Sequence, residues 1–240
     1  MTEIDLTQQA AQFGGSQPLR GYLATPPGEG PWPGLVMIHE IMGLEPMMLR
    51  HADRMAQSGY LTLAVDLFSA GGPRRCLVST MRALHKREGR PFADIETART
   101  WLTASPDCTG KVGVIGFCMG GAFALLTTTT GFAAASTNYG PLPRDLDTAL
   151  TGSCPIVATY GARDRTLKNA APKLEAALTK ANVPHDVKEY PTAGHAFLNE
   201  HLSGPRLLRP LLRVAGIGPD PTAAPDAWHR ITTFFAHHLH

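Results

Sequence analysis

Cys118 sits in a sequence setting that could make it a nucleophile. The segment Val112-Gly-Val-Ile-Gly116-Phe-Cys118-Met-Gly120-Gly121 carries a short apolar run into Gly-x-Cys-x-Gly and on into small residues. A strand that enters such a turn and leaves it as a helix forms a nucleophile elbow, here with cysteine in the place serine more often takes. The spacing has a steric cause. The nucleophile occupies a strained turn, and its flanking residues must lack side chains so that strand and helix can pass closely. The turn presents sulfur at the carboxyl end of a strand and beside a helix N-terminus, whose dipole favours the thiolate. The alternative is a small buried cysteine ahead of a packed Gly-Gly helix.

A thiol nucleophile needs a base, and the base needs an orienting group. Pro155–Tyr160 reads as a strand that ends in Gly161-Ala-Arg-Asp164, placing a carboxylate just past the strand's carboxyl end. Tyr190-Pro-Thr-Ala-Gly194-His195-Ala-Phe places a histidine in a Gly-preceded loop after the last strand. In a parallel sheet both loops emerge on the side of Cys118, and the chain order is that of α/β-hydrolases: nucleophile, acid, histidine. The loop His39-Glu40-Ile41-Met42-Gly43 follows the first buried strand. In this arrangement it supplies one oxyanion-hole amide, and the residue after the nucleophile supplies the other, which selects the backbone N–H groups of Ile41 and Met119. Glu40 is unexpected there, because an acid repels a developing oxyanion. It reads either as a carboxylate at a helix N-terminus or as an acid that hydrogen-bonds the resting thiol and withdraws when substrate arrives. Gly43 stands where a metalloprotease motif would need its second histidine.

The elements that must position these residues alternate along the chain. Strands are expected at 19–25, 34–39, 61–65, 111–115, 133–139, 155–160 and 187–190. Helices are expected at 46–58, 92–104, from Cys118 onward, at 167–181 and at 225–238. Such alternation predicts an α/β fold with a mostly parallel central sheet and helices on both faces, as a single domain over 1–240. Hydrophobic residues make up 43% of the 240 and charged ones 18%, enough to build a core and too ordered a composition for a disordered chain. A net charge of +2 with no basic run argues against a nucleic-acid partner. The acidic N-terminus is unlike a signal peptide, and no stretch approaches the ~18 apolar residues of a membrane span. The 4 cysteines (76, 108, 118 and 154) show neither CxxC nor zinc-like spacing, so free thiols in the cytoplasm are expected, with no metal or organic cofactor. The expected partner is a small-molecule ester or lactone, bound by a monomer or small homo-oligomer.

HEIMG at 39–43, GFCMGG at 116–121, GARD at 161–164 and AGHAF at 193–197 together resemble the dienelactone hydrolase (carboxymethylenebutenolidase) family of α/β-hydrolases. The resemblance spans nearly the whole chain. It implies a Cys118–His195–Asp164 triad, oxyanion amides at Ile41 and Met119, Glu40 as the thiol-associated glutamate, and ester or lactone hydrolysis through an acyl-thioester. The best-studied members bind the carboxylate of dienelactone with an Arg, a Ser and a second Arg. Here Ala70, Ala196 and Asn199 stand at those positions. A carboxylate buried without cationic partners is costly, so dienelactone itself is not the expected substrate. Arg74, Arg75 and Arg82 are expected in the following loop, as a solvated basic stretch or as a substitute cation. The long segment from Gly204 to Pro225 either partly covers the pocket or forms a plain surface helix. His237, His238 and His240 are expected to fray. The competing function is a non-catalytic or redox-sensing binding protein of the same fold, with Cys118 as an oxidisable thiol.

Overall fold

The computed structural model describes residues 2–202 and 216–240. In chain order the elements are Thr2–Asp5 (β1), Thr7–Phe13 (α1), Arg20–Ala24 (β2), Trp32–Ile38 (β3), Pro46–Gln57 (α2), Leu61–Asp66 (β4), Pro73–Lys86 (α3) and Arg90–Ala104 (α4). Then follow Cys108–Phe117 (β5), Met119–Leu126 (α5), Ala135–Asn138 (β6), Leu146–Ala149 (α6), Ile156–Gly161 (β7), Ala170–Lys180 (α7), His185–Tyr190 (β8) and Ala223–Leu239 (α8). The strands form one 8-stranded sheet in the order β1-β2-β4-β3-β5-β6-β7-β8. β1 and β2 pair antiparallel, as do β2 and β4, and every later pairing is parallel. The expected α/β fold with a mostly parallel sheet is what forms.

Side-chain alternation along the strands explains the layering. Leu35 and Met37 of β3 point into one core, and Val36 and Ile38 into the other. The first core is closed by Met47, Met48, Ala52 and Met55 of α2 and by Trp228, Ile231 and Phe235 of α8. The second is closed by Ile95 and Leu102 of α4, Phe123 of α5, and Leu174 and Leu178 of α7. Burying one such side chain fully contributes about 1.5–3 kcal/mol. From β3 the chain steps to β4 on one side, and later to β5 on the other. The carboxyl ends of β3 and β5 therefore flank the topological switch of the sheet, where α/β proteins place their ligands.

Two expectations change. Arg74, Arg75 and Arg82 lie on the exposed side of helix α3, not in a loop. Gly71-Gly72-Pro73 reads as a turn, but Pro73 opens the helix at a position where its missing N–H costs nothing. The C-terminal histidines do not fray: α8 includes His237 and His238, Leu239 is buried, and Lys111 Nζ donates to the His240 carbonyl at 2.9 Å. Residues 204–215 of the proposed cover lie outside the described residues. Among the described residues, no helix is long and apolar enough to cross a membrane.

Candidate active site

Cys118 joins β5 to α5 with φ 53° and ψ −117°. A left-handed backbone at a residue with a Cβ costs about 1–2 kcal/mol, so its surroundings must hold it there. Its N–H donates to the Asn138 carbonyl at 3.0 Å, and its own carbonyl accepts from Gly121 N–H at 3.0 Å. Asn138 is buried beneath the turn. Its Nδ2 donates to the Gly116 carbonyl at 3.1 Å, and its Oδ1 accepts from the Thr159 hydroxyl at 2.8 Å, which ties the ends of β5, β6 and β7 together. Close approach explains the flanking glycines. A Cβ on Gly116 would overlap the Gly120 carbonyl, and one on Gly120 would overlap the Ile38 carbonyl of β3.

The loops after β7 and β8 bring Asp164 and His195 together. His195 Nδ1 and Asp164 Oδ2 are 2.5 Å apart, with Asp164 buried and the His195 side chain 17% exposed. Thr166 donates to Asp164 Oδ1 through both its N–H (2.9 Å) and its hydroxyl (2.6 Å). Burial would raise the Asp164 pKa, but the His195 and Thr166 hydrogen bonds outweigh it and hold the carboxyl below its usual range. Burial likewise opposes charge on His195, yet the hydrogen bonds its ring donates to Asp164 and then Cys118 push its pKa up to about 10. With Nδ1 committed to Asp164, Nε2 is the ring nitrogen left to face the sulfur. The described end of the long segment braces this histidine: His195 N–H donates to the Gly216 carbonyl at 3.1 Å, and Gly218 N–H donates back to the His195 carbonyl at 2.8 Å.

The amides of Ile41 and Met119 have no hydrogen-bond acceptor among the described residues, and Ile41 is 42% exposed beside them. Glu40 is buried. Its carboxylate accepts from the Tyr139 hydroxyl at 3.3 Å and from Asn199 Nδ2 at 3.2 and 3.3 Å. Burial pushes the Glu40 carboxyl up, against the lowering pull of Asn199, His195 and Tyr139. Asn199 Oδ1 in turn meets His51 Nε2 at 3.0 Å. Burial drops the His51 pKa to about 4, so the ring is neutral. Nε2–H therefore donates to Asn199, and the Asn199 amide points its NH2 at Glu40. Asn199, which looked in the sequence like a lost cation, is committed to the acid instead. Ala196, with φ 58°, follows His195, and Ala70 lies in the turn after β4.

Sequence reasoning missed Tyr139, Thr166 and His51. Asp164-Arg-Thr166 has the spacing of an Asx-type turn, a signal that could have exposed Thr166. Tyr139 follows β6 on the ligand side of the sheet, with φ 41° and its ring edge-on to His195 at 5.2 Å. His51 had no local signal.

A mostly parallel sheet whose carboxyl ends carry a strained elbow residue, then an acid, then a histidine defines an α/β-hydrolase. More narrowly, the chain belongs to the dienelactone hydrolase family, whose sequence model matches residues 19–239, and it is a hydrolase. The carboxymethylenebutenolidase of Rhodococcus opacus is 25% identical, over 99% of this chain and 94% of that protein. Two solved structures share the fold. One is the dienelactone hydrolase-like promiscuous phosphotriesterase P91 from metagenomic libraries, with TM-score 0.77, 24% identity, and coverage of 92% of this chain and 93% of that one. The other is the dienelactone hydrolase of Anabaena variabilis, with TM-score 0.63, 22% identity, and coverage of 93% of each chain.

Proposed function

We propose that the protein hydrolyses small esters or lactones with Cys118 as nucleophile, His195 as proton carrier and Asp164 as its orienter. The observation that carries this is the 2.5 Å His195–Asp164 hydrogen bond next to a sulfur that supports charge on the same imidazole. The thiolate attacks the carbonyl carbon, and the oxyanion rests on the Ile41 and Met119 amides. The intermediate collapses by breaking the bond to the leaving oxygen, which takes the proton from His195 Nε2. Acylation uncharges the sulfur, so His195 loses the support of Cys118 and becomes a base able to deprotonate water. Hydroxide then attacks the thioester and the thiolate departs. Because thiolates are good leaving groups, the intermediate expels enolates and phenolates more readily than alkoxides, which favours enol-lactones and activated esters. Glu40 is the acid of the thiol's neighbourhood, but among the described residues its carboxylate is hydrogen-bonded to Tyr139 and Asn199 and not, as expected, to Cys118. The raised pKa of Glu40 weakens its repulsion of the oxyanion, and Tyr139, whose own ionisation is opposed by burial first and then by Glu40 and Cys118, donates its hydroxyl to Glu40.

With Ala70, Ala196 and Asn199 in place of cationic or hydroxyl partners, the preferred substrate carries no carboxylate near the scissile bond. The chain acts as a single domain in a reducing, cytoplasmic setting that keeps the thiol free. The test is turnover of p-nitrophenyl acetate and cis-dienelactone by wild type and Cys118→Ala. The expected outcome is a loss of kcat/KM by about 10³-fold or more in the variant. Equal turnover in both proteins, or none in either, would sink the proposal.

A further inference from the structure

We infer that His39 is a positioning residue for this reaction: it aims the Ile41 N–H at the oxyanion by gripping the carbonyl on the opposite edge of the same peptide. The inference rests on the reading of Cys118 as nucleophile given above.

His39 follows the last residue of β3 and is completely buried, its ring tilted against Phe68 with centroids 4.7 Å apart. Its Nε2 accepts a hydrogen bond from Leu67 N–H at 3.1 Å. An acceptor nitrogen carries a lone pair, so the ring proton sits on Nδ1. Nδ1 lies 2.6 Å from the Glu40 carbonyl oxygen and therefore donates to it. The Asp66 carboxylate, 3.6 Å from Nε2, is engaged by Phe68 N–H at 2.9 Å.

The Glu40–Ile41 peptide is not among the cis bonds of the chain. In a trans peptide the C=O and N–H are coplanar and point in opposite directions. Whatever fixes the Glu40 carbonyl therefore fixes the Ile41 N–H, which has no acceptor of its own among the described residues. Gly43 N–H donates to the same oxygen at 3.0 Å and closes the turn, but it belongs to the loop that must be held. His39 supplies the link to the frame, since Leu67 adjoins β4 and β4 pairs with β3. An oxyanion donor must be aimed before charge develops to be of use, because reorienting it during the reaction would cost what it returns.

The two bonds of His39 can be separated by substitution. Asparagine places an amide nitrogen where Nδ1 lies, keeping the donor to Glu40 and losing the acceptor for Leu67. Glutamine reaches the Nε2 position, keeping the acceptor and losing the donor. A merely structural histidine would be replaced better by glutamine, and an aiming one by asparagine. The test uses the full chain with p-nitrophenyl acetate and its thiono analogue, whose sulfur is a poor guest for amide donors. His39→Asn is expected to keep kcat and the oxygen-over-sulfur preference within a few-fold of wild type. His39→Gln is expected to lower kcat about 10- to 100-fold at little change in KM, and to reduce that preference. The preference is a ratio of two rates on one sample, so partial misfolding cancels. A preference unchanged in His39→Gln, or reduced equally in His39→Asn, overturns the inference. Failure of the underlying mechanism would show elsewhere, as wild-type turnover that survives Cys118→Ala.

Discussion

Asp164 and His195 illustrate how two buried ionisable groups set each other's charge. Burial disfavours both ions, and the 2.5 Å hydrogen bond between them, with Thr166 on one side and Cys118 on the other, reverses that preference. On the proposed mechanism the imidazolium delivers the proton for acylation, so kcat/KM should fall as pH rises through the His195 pKa of about 10. Asp164→Asn removes the first of the two partners that raise this pKa. Its basic limb should move toward neutral pH by about one unit or more, with kcat down by about 10²-fold or more. A pH–rate profile of wild type and variant checks this, and a limb that stays put would remove Asp164 from the role. Local motifs made Cys118, Asp164 and His195 legible in the sequence. Tyr139, Asn199 and His51 were not, because each acts through a partner far along the chain: Tyr139 and Glu40 are 99 residues apart, Asn199 and Glu40 159, and His51 and Asn199 148.

At the scale of elements, the periodic segments were legible and the weakly patterned ones were not. Strands β3, β4 and β7 lie close to their expected places because each is a short, mostly apolar run, interrupted only by single residues such as Thr62 and Thr159. β1 and α1 are short and mostly exposed, anchored by Leu6 and Ala10, and offered no such pattern. The same N-terminal region is held to α4 by Asp94, whose Oδ1 accepts from Ser16 N–H at 2.6 Å and whose Oδ2 accepts from the Ser16 hydroxyl at 2.7 Å. Burial pushes the Asp94 pKa up to about 6, despite these bonds and the nearby Arg90. A carboxyl raised from 3.8 to about 6 makes the fold progressively less stable as pH climbs through that window. Asp94→Asn keeps an acceptor for Ser16 N–H and removes the charge. The variant should exceed wild type in stability by roughly 1–3 kcal/mol above pH 6, and the gain should vanish near pH 4. Urea titrations at the two pH values measure the difference, and a variant weaker than wild type at pH 8 would contradict the assignment.

For the molecule as a whole, the alternation of strands and helices predicted the layered fold, but not the order of the strands. Which strand neighbours β3 depends on the direction of each crossover, and that is set by packing rather than by local composition. The resulting sheet places β3 and β5 at its centre between two cores, with β1 as an edge strand. Amides of β3 and β5 should therefore exchange with solvent only on global unfolding, while those of β1 exchange first. Hydrogen-exchange mass spectrometry should return that order, and early exchange in β5 would mean that the elbow stands on a loose strand.

The nucleophilic role of one sulfur underlies the whole account. Its most direct test is the intact mass of the protein quenched in acid during turnover of p-nitrophenyl acetate, followed by peptide mapping. One acetyl group on the peptide containing Cys118, absent in Cys118→Ala, is the expected finding. Acetyl on another residue as the species that turns over, or turnover with no acylated protein even when His195 is replaced to slow deacylation, would contradict it.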